Sequence, residues 1–130
     1  MTELVRVLIV DDQLPFREAA KLVFDLVDRF EVVGEATSGE EAGALVESLR
    51  PDLVVMDINL PGISGVDATR EIVAAHPDTV VVLVSTYDAK ALPHGASSSG
   101  AVAYVHKEHL DPDLIEDVWD QRETALWRTA

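Results

Sequence analysis

Cysteine is absent from this 130-residue sequence, so disulfide frameworks, thiol nucleophiles and cysteine-based zinc sites are excluded. Basic residues are also scarce, since 10 Lys and Arg stand against 24 Asp and Glu and give a formal net charge of -14. A surface that follows nucleic-acid phosphates needs clustered cations, so direct nucleic-acid binding by this chain is not expected. The acidic balance disfavours anionic membrane surfaces as well and fits a protein that binds cations or basic partners.

Apolar runs of membrane-spanning length are missing, and the N-terminus runs into a strand pattern instead of a signal peptide. These absences predict an intracellular, cytoplasmic protein. Hydrophobic residues make up 48% of the chain, which is typical of a globular fold. The length suits one domain, and repeats, linkers and a second domain are not apparent, so residues 1–130 are predicted to form a single domain.

Apolar runs alternate with helical patterns along the whole chain. Strands are predicted at 4–10, 31–36, 53–56, 79–84 and 101–105. Helices are predicted at 14–28, 38–49 and 64–76, within 88–100, and from 111 onward. Five strands alternating with five helices predict an α/β fold, a doubly wound parallel sheet with the strand order 2-1-3-4-5.

The helix within 88–100 is the weakest of these predictions. Pro93 lacks a donor N–H and costs about 3 kcal/mol inside a helix, while Gly95 and the serines at 97–99 add little helix propensity. The segment is therefore predicted to hold a short, shifted or partly disordered helix. A capped short helix followed by a loop is the alternative.

The last helix is predicted to bury one apolar stripe. The stripe consists of Leu114, Ile115, Val118, Ala125 and Leu126. Trp119 is placed at the edge of the stripe and Trp127 outside it. Because an exposed Trp often marks an interface, a homodimer through the last helix region is one interpretation of Trp127, and an unordered terminus is the other.

Polar residues follow four of the predicted strands: the pair Asp11 and Asp12, then Asp57, Ser85 and Lys107. The carboxyl ends of parallel strands meet at one edge of the sheet, where ligands bind at the switch point of the strand order. Three carboxylates this close raise one another's pKa unless a cation intervenes, and a site of few hard oxygen ligands suits Mg²⁺ shared with a phosphate. Taken alone, each residue has a plainer interpretation, such as a helix N-cap for Asp12.

The chain resembles the receiver domain of two-component response regulators, which has the flavodoxin-like and CheY-like fold. The resemblance rests on four segments: VLIVDD ending at Asp12, PDLVVMDINLPGISG at 51–65, LVST at 83–86 and GAVAYVHK at 100–107. VVGEATSGEEA and MDINLPG are most similar to receivers of the NarL/LuxR type. The resemblance covers essentially the whole chain.

The resemblance implies a phosphoacceptor and a Mg²⁺ site. Asp57 matches the aspartate that accepts a phosphoryl group from a histidine kinase or phosphotransfer protein. Asp12 matches a direct Mg²⁺ ligand, Asp11 a ligand mainly through water, and Asn59 a ligand through its backbone carbonyl. The domain is thus expected to be a signalling switch with autocatalytic phosphoryl transfer and autodephosphorylation, and not a metabolic enzyme.

The resemblance also implies a switch that changes a protein-binding face. Ser85 matches the hydroxyl that turns toward the phosphoryl group, Lys107 the cation that binds it, and Tyr104 the aromatic residue whose rotation reports activation. A tyrosine half-packed on the fifth strand is the plainer interpretation of Tyr104. Thr86 is bulkier than is usual in the family, and Tyr87 is a candidate cover over the acyl phosphate.

Two other functions stay open at this point. The first is a receiver-like binding module that works without phosphorylation. The second is a phosphatase of the haloacid dehalogenase type, which needs a second carboxylate two residues after the nucleophile, where this chain has Asn59. The sequence names neither the kinase nor the oligomeric state, and it leaves open whether a DNA-binding output domain belongs to the protein.

Overall fold

The computed structural model describes residues 4–124 and 127–130. The strands are β1 Val5–Val10, β2 Phe30–Ala36, β3 Leu53–Asp57, β4 Val80–Ser85, β5 Ala103–His106 and β6 Arg128–Thr129. The α-helices are α1 Leu14–Asp25, α2 Gly39–Leu49, α3 Gly65–Ala75 and α4 Pro112–Asp120. Two three-residue 3₁₀ helices follow β4 and β5, at Ala89–Ala91 and Lys107–His109.

The strands pair in parallel in one sheet with the order β2-β1-β3-β4-β5-β6. The first five strands have the predicted 2-1-3-4-5 order, and the doubly wound α/β class is confirmed. The prediction of a five-stranded sheet is wrong, because β6 pairs with the outer edge of β5. Two residues of pairing are too short to produce the alternating apolar pattern by which strands are predicted.

Apolar layers cover both faces of the sheet. On the first face, Ile9 of β1 packs in a cluster with Phe24 of α1 and Trp119 of α4. On the second face, Leu8 packs in a cluster with Val46 of α2. Because successive residues of a strand point to opposite faces, Leu8 and Ile9 are both fully buried, which explains the unbroken apolar run of β1.

Serine N-caps begin α2 and α3 where the sequence predicts these two helices to start. Ser38 accepts a hydrogen bond from the backbone N–H of Glu41, and Ser64 accepts one from Asp67. Such caps are worth about 1 kcal/mol each. Across residues 4–124 and 127–130, none of the helices combines the length and the apolar character needed to cross a membrane.

The segment between β4 and β5 forms turns, so the prediction of an α-helix within 88–100, the fourth of the five predicted, is wrong. Only Ala89–Ala91 is helical, as a single 3₁₀ turn. Pro93 cannot donate a backbone hydrogen bond, and the φ angles of Gly95 (+88°) and Gly100 (+103°) are incompatible with a right-handed helix. The turns still pack on the second face, where Ala96 is buried.

Helix α4 is shorter than predicted and ends at Asp120. Ile115 and Val118 are buried as predicted. Trp119 is not at the edge of the buried stripe, because it is buried itself and its ring packs edge-to-face on Phe30 at 6.5 Å between centroids. Aromatic pairs in this arrangement add about 0.5–1.5 kcal/mol to the free energy of area burial.

The other residues predicted for the last helix region have three different outcomes. Leu114 is partly buried against the first face. Ala125 and Leu126 lie outside the described residues. Trp127 is half-buried against the cluster on the second face, so its prediction as an exposed side chain is wrong.

Candidate functional site

The carboxyl edge of the sheet brings the predicted site residues together. Asp11 directly follows β1, Asp57 is the last residue of β3, and Lys107 directly follows β5. Asp57 lies opposite Val84 of β4, and the next residue along β4 is Ser85. Parallel strands end at one edge of a sheet, so four residues that are far apart in sequence meet there.

Three carboxylates and one ammonium form the centre of this site. Carboxylate oxygens of Asp11, Asp12 and Asp57 lie within 4.8 Å of one another. The Nζ atom of Lys107 lies 2.6 Å from Asp11 Oδ2 and 3.6 Å from Asp57 Oδ2. Asp11 and Asp57 are buried, while Asp12 is exposed. The cluster therefore holds more negative charge than the single Lys107 can offset.

Burial and the excess negative charge both affect the pKa of Asp57. The pKa of Asp57 is raised from 3.8 to about 6, first by burial of the carboxyl group and second by the neighbouring Asp11 carboxylate. Lys107 and the backbone N–H of Asn59 act in the opposite direction and offset only part of this rise. A bound cation would favour the ionised carboxylate and so lower this pKa.

The donor set fits a hard divalent cation. The N–H of Gln13 donates to Asp11 Oδ1 at 2.8 Å, while the buried Oδ2 accepts no hydrogen bond from the described residues and has the Lys107 ammonium as its ion-pair partner. Mg²⁺ takes oxygen ligands at roughly 2.1 Å, so two adjacent ligands lie about 3 Å apart and two opposite ligands about 4.2 Å apart. Oxygens of Asp11, Asp12 and Asp57 that lie within 4.8 Å of one another can therefore share one ion, directly or through water. The Mg²⁺ ligands that the resemblance implies stay predictions: the carboxylates of Asp12 and Asp57, Asp11 mainly through water, and the backbone carbonyl of Asn59.

The loop after β3 packs tightly against the backbone of Asp57. The N–H of Gly65 donates to the Ile58 carbonyl at 2.9 Å, and the Ile58 N–H donates to the Val84 carbonyl at 3.0 Å. A Cβ atom on Gly65 would lie 1.9 Å from the carbonyl oxygen of Asp57. Glycine at this position is therefore required by the close approach of two backbones.

The loop after β4 lies over the same edge of the sheet. The Oγ of buried Ser85 accepts a hydrogen bond from the N–H of Tyr87 at 3.3 Å. The hydroxyl of Tyr104 donates to the Ser85 carbonyl at 3.0 Å and also to the Tyr87 carbonyl. Tyr104 is fully buried, not half-packed, and its ring spans from β5 to this loop. Its rotation on activation stays a prediction.

Tyr87 reaches across the edge from the loop after β4 to the loop after β3. Its hydroxyl donates to the Oδ1 atom of the Asn59 side chain at 3.2 Å. The backbone N–H of Asn59 in turn donates to Asp57 Oδ1 at 3.2 Å. Two hydrogen bonds through Asn59 thus connect Tyr87 to Asp57, which supports the hypothesis that Tyr87 covers Asp57.

The family model for the response regulator receiver domain matches residues 7–118. This chain belongs to the response regulator receiver family. It is therefore a signalling switch of two-component systems, as the resemblance of its motifs implies.

Individual relatives agree with this assignment. The receiver is 39% identical to the transcriptional regulatory protein DegU of Brevibacillus brevis over 88% of this chain and 48% of that protein. The solved receiver domain of a NarL-type response regulator from Mycobacterium tuberculosis has a TM-score of 0.83 at 30% identity, covering 93% and 98% of the two chains. A LuxR-family response regulator from Aurantimonas sp. also has a TM-score of 0.83, at 29% identity over 96% and 89%. The chain spans about half the length of the curated relative.

Two contacts of the receiver site are invisible in the sequence pattern. The Nζ atom of Lys107 lies 4.5 Å from the ring centroid of Phe16, a cation–π contact that helps to hold the ammonium. His106 Nε2 lies 3.0 Å from the Thr86 carbonyl. The helical stripe of α1 assigns Phe16 only to the core. The sequence hints at His106 only through its position, since it is a polar residue at a strand end beside Lys107.

Proposed function

We propose that Asp57 accepts a phosphoryl group from a phosphohistidine of a partner kinase or phosphotransfer protein, and that residues 1–130 work as one receiver domain. The observation that supports this most strongly is the position of Asp57. Its buried carboxylate lies in reach of Lys107 and beside the carboxylates of Asp11 and Asp12. Such a site has a nucleophile, cation ligands and a fixed positive charge within one cluster.

In the transfer step, a carboxylate oxygen of Asp57 attacks the phosphorus atom. A new P–O bond forms while the P–N bond breaks, and the electron pair of that bond returns to the imidazole. Lys107 binds a phosphoryl oxygen and so stabilises charge that the transfer brings into the site. Mg²⁺, when bound, supplies further positive charge to the phosphoryl oxygens. The signal ends when water attacks the phosphorus atom. The P–O bond to Asp57 breaks, inorganic phosphate leaves, and the Asp57 carboxylate is regenerated.

Ser85 is proposed to sense the product. Its hydroxyl accepts from the Tyr87 N–H in the present arrangement, and it can instead donate to a phosphoryl oxygen by rotating about its Cα–Cβ bond. Such a donation attracts the loop after β4 toward Asp57. The change in that loop would alter the surface that the receiver presents to its partner.

Incubation with Mg²⁺ and acetyl phosphate tests the proposal directly. Intact mass spectrometry is expected to show one added phosphoryl group, and peptide mapping after borohydride reduction is expected to place it on Asp57. Absence of an adduct would favour the binding module that works without phosphorylation. Steady turnover of phosphate monoesters would instead revive the phosphatase, although Asn59 offers no second carboxylate.

Tyr87 is proposed to restrain the water that hydrolyses the acyl phosphate. Tyr87→Ala removes the ring that bridges to Asn59, so the phosphorylated receiver should lose its phosphoryl group roughly three- to tenfold faster. Tyr87→Phe keeps the ring and removes only the hydroxyl, so its effect should be smaller. Single-exponential decay of the adduct, followed by mass spectrometry, measures both. An unchanged half-life in Tyr87→Ala would contradict the covering role, and Thr86→Ala tests the neighbouring residue in the same assay.

The partner must approach the carboxyl edge of the sheet, since its phosphohistidine has to reach Asp57. Leu14 at the start of α1 is half exposed and directly follows the loop that contains Asp12, so it offers an apolar contact there. A transcriptional output is proposed from the regulators that the chain resembles. A cytoplasmic location and a homodimer through the α4 region remain predictions of the sequence.

A further inference from the structure

Two carboxylates and one aromatic ring lie around the Lys107 ammonium. Its Nζ atom lies 2.6 Å from Asp11 Oδ2 and 3.6 Å from Asp57 Oδ2. The same atom lies over the Phe16 ring, 4.5 Å from the ring centroid. The Lys107 side chain is only 13% exposed, so these groups replace most of the water that would otherwise solvate the ammonium. A cation–π contact is strongest where the cation is desolvated in this way.

Helix α1 holds this ring in a fixed position. Phe16 lies in the first turn of α1 and packs against the apolar cluster on the first face of the sheet. Its neighbour Arg17 donates from Nη1 to the Asp11 carbonyl at 2.9 Å and from Nε to the Glu35 carboxylate at 3.0 Å. These two bonds join the start of α1 to the end of β1 and to β2. The ring is therefore a rigid surface against which the flexible Lys107 side chain rests.

The ring and the carboxylates respond differently when the site is used. Asp11 and Asp57 are predicted to share their negative charge with Mg²⁺, and Asp57 loses its carboxylate charge when it accepts the phosphoryl group. Both changes weaken the attraction between these carboxylates and the Lys107 ammonium. The face of the Phe16 ring carries a partial negative charge that neither event removes. The contact with Phe16 therefore persists while Lys107 turns from the carboxylates to the phosphoryl oxygens.

We propose that Phe16 is a positioning residue for phosphoryl transfer, because its ring holds the Lys107 ammonium beside Asp57 through a contact that does not depend on the carboxylates. This inference rests on the proposed function of Asp57. Phe16 acts through Lys107 and is not itself a catalytic residue. The inference gives a role in the reaction to a residue that the helical stripe of α1 assigns only to the core.

Loss of the ring should slow phosphoryl transfer. Phe16→Leu keeps an apolar side chain and removes the ring face, so the ammonium should leave its place beside Asp57 more often. The rate constant for adduct formation with Mg²⁺ and acetyl phosphate is expected to fall roughly three- to tenfold. Phe24→Leu is the matched control, because Phe24 is a buried residue of the same helix whose ring packs on Phe30 at 5.3 Å between centroids. It should lower stability without changing the rate constant of the folded receiver.

Fluorination of the ring separates its electrostatic effect from its packing. A phenylalanine with three ring fluorines has nearly the shape of phenylalanine, but the fluorines withdraw negative charge from the ring face. Placed at Phe16 in the whole chain, it should slow adduct formation, and a single ring fluorine there should have an intermediate effect. The same replacement at Phe24 should leave the rate constant unchanged. If Phe16→Leu is slow while the fluorinated receiver is as fast as the wild type, the ring acts only through its volume and the positioning role is overturned.

A spectroscopic measurement tests the contact without the reaction. In the receiver without Mg²⁺, the Cε protons of Lys107 should resonate upfield of those of Lys21 and Lys90, because they adjoin an Nζ atom that lies over the Phe16 ring. This ring-current shift should vanish in Phe16→Leu. Ordinary chemical shifts for these protons in a wild type that forms the adduct overturn the positioning role and leave the proposed function intact. Failure of the wild type to form any adduct overturns the proposed function, and the role of Phe16 with it.

Discussion

Asp57→Asn should abolish phosphoryl adduct formation and at the same time make the receiver more stable. The first effect follows because an amide cannot act as the nucleophile. The second follows from the raised pKa of Asp57, since a carboxylate that burial and Asp11 disfavour destabilises the folded state whenever it is ionised. A pKa raised from 3.8 to about 6 lowers the stability of the wild type by roughly 3 kcal/mol at pH 7, and Asp57→Asn should raise the free energy of unfolding by about this amount.

The sign of the pH dependence separates this effect from a general change in packing. The folded state binds the proton of Asp57 more tightly than the unfolded state, so wild-type stability falls as the pH rises from about 4 to about 6. The gain from Asp57→Asn should therefore be nearly absent below pH 4 and complete above pH 6. Urea denaturation at pH 4 and pH 7 measures it.

A control variant and a metal titration complete that experiment. Asp78→Asn removes an exposed carboxylate before β4 and should change the free energy of unfolding by less than about 0.5 kcal/mol. Saturating Mg²⁺ should stabilise the wild type and shrink its difference from Asp57→Asn, because the cation binds the ionised cluster. Equal stability of wild type and Asp57→Asn at pH 7 without Mg²⁺ would contradict the electrostatic account of the site.

Gly65→Ala should destabilise the receiver by about 3 kcal/mol and slow phosphorylation. The new Cβ would lie 1.9 Å from the Asp57 carbonyl oxygen and 2.9 Å from the Ile58 Cα. Both atoms belong to the backbone, so no side chain can rotate away, and β3 or the loop must shift at the phosphoacceptor itself. Urea denaturation and the rate of adduct formation with acetyl phosphate measure the two effects.

Gly43→Ala is the matched control for that substitution. Gly43 lies within α2, and a Cβ there meets no atom within 4 Å. Alanine restricts the unfolded chain and favours the helix, so this variant should gain roughly 0.5–1 kcal/mol. A similar cost for both variants would mean that the close approach at Asp57 is not the cause.

The sequence predicted the parts of the fold that depend on local apolar patterns. The unbroken apolar runs of β1 and β3 lie where the pattern places them, because burial on two faces leaves few other arrangements. The α-helix predicted within 88–100 does not form, because Pro93 lacks a donor N–H and Gly95 and Gly100 have positive φ angles, and several N–H groups there donate instead to carbonyls three residues earlier in turns. Strand β6 was not predicted, because its two residues are held by backbone hydrogen bonds to β5 and such bonds leave no side-chain pattern in the sequence.

The sequence by itself determined which residues stand at the carboxyl ends of the strands, and the parallel topology then required Asp11, Asp57 and Lys107 to meet. Only the tertiary structure decided how they meet. It places Lys107 nearer to Asp11 than to Asp57, raises the pKa of Asp57 and joins Tyr104 to the C-terminal strand. Distances, burial and backbone pairing between remote segments depend on how all the layers pack together, and that information is not present in any local stretch of the chain.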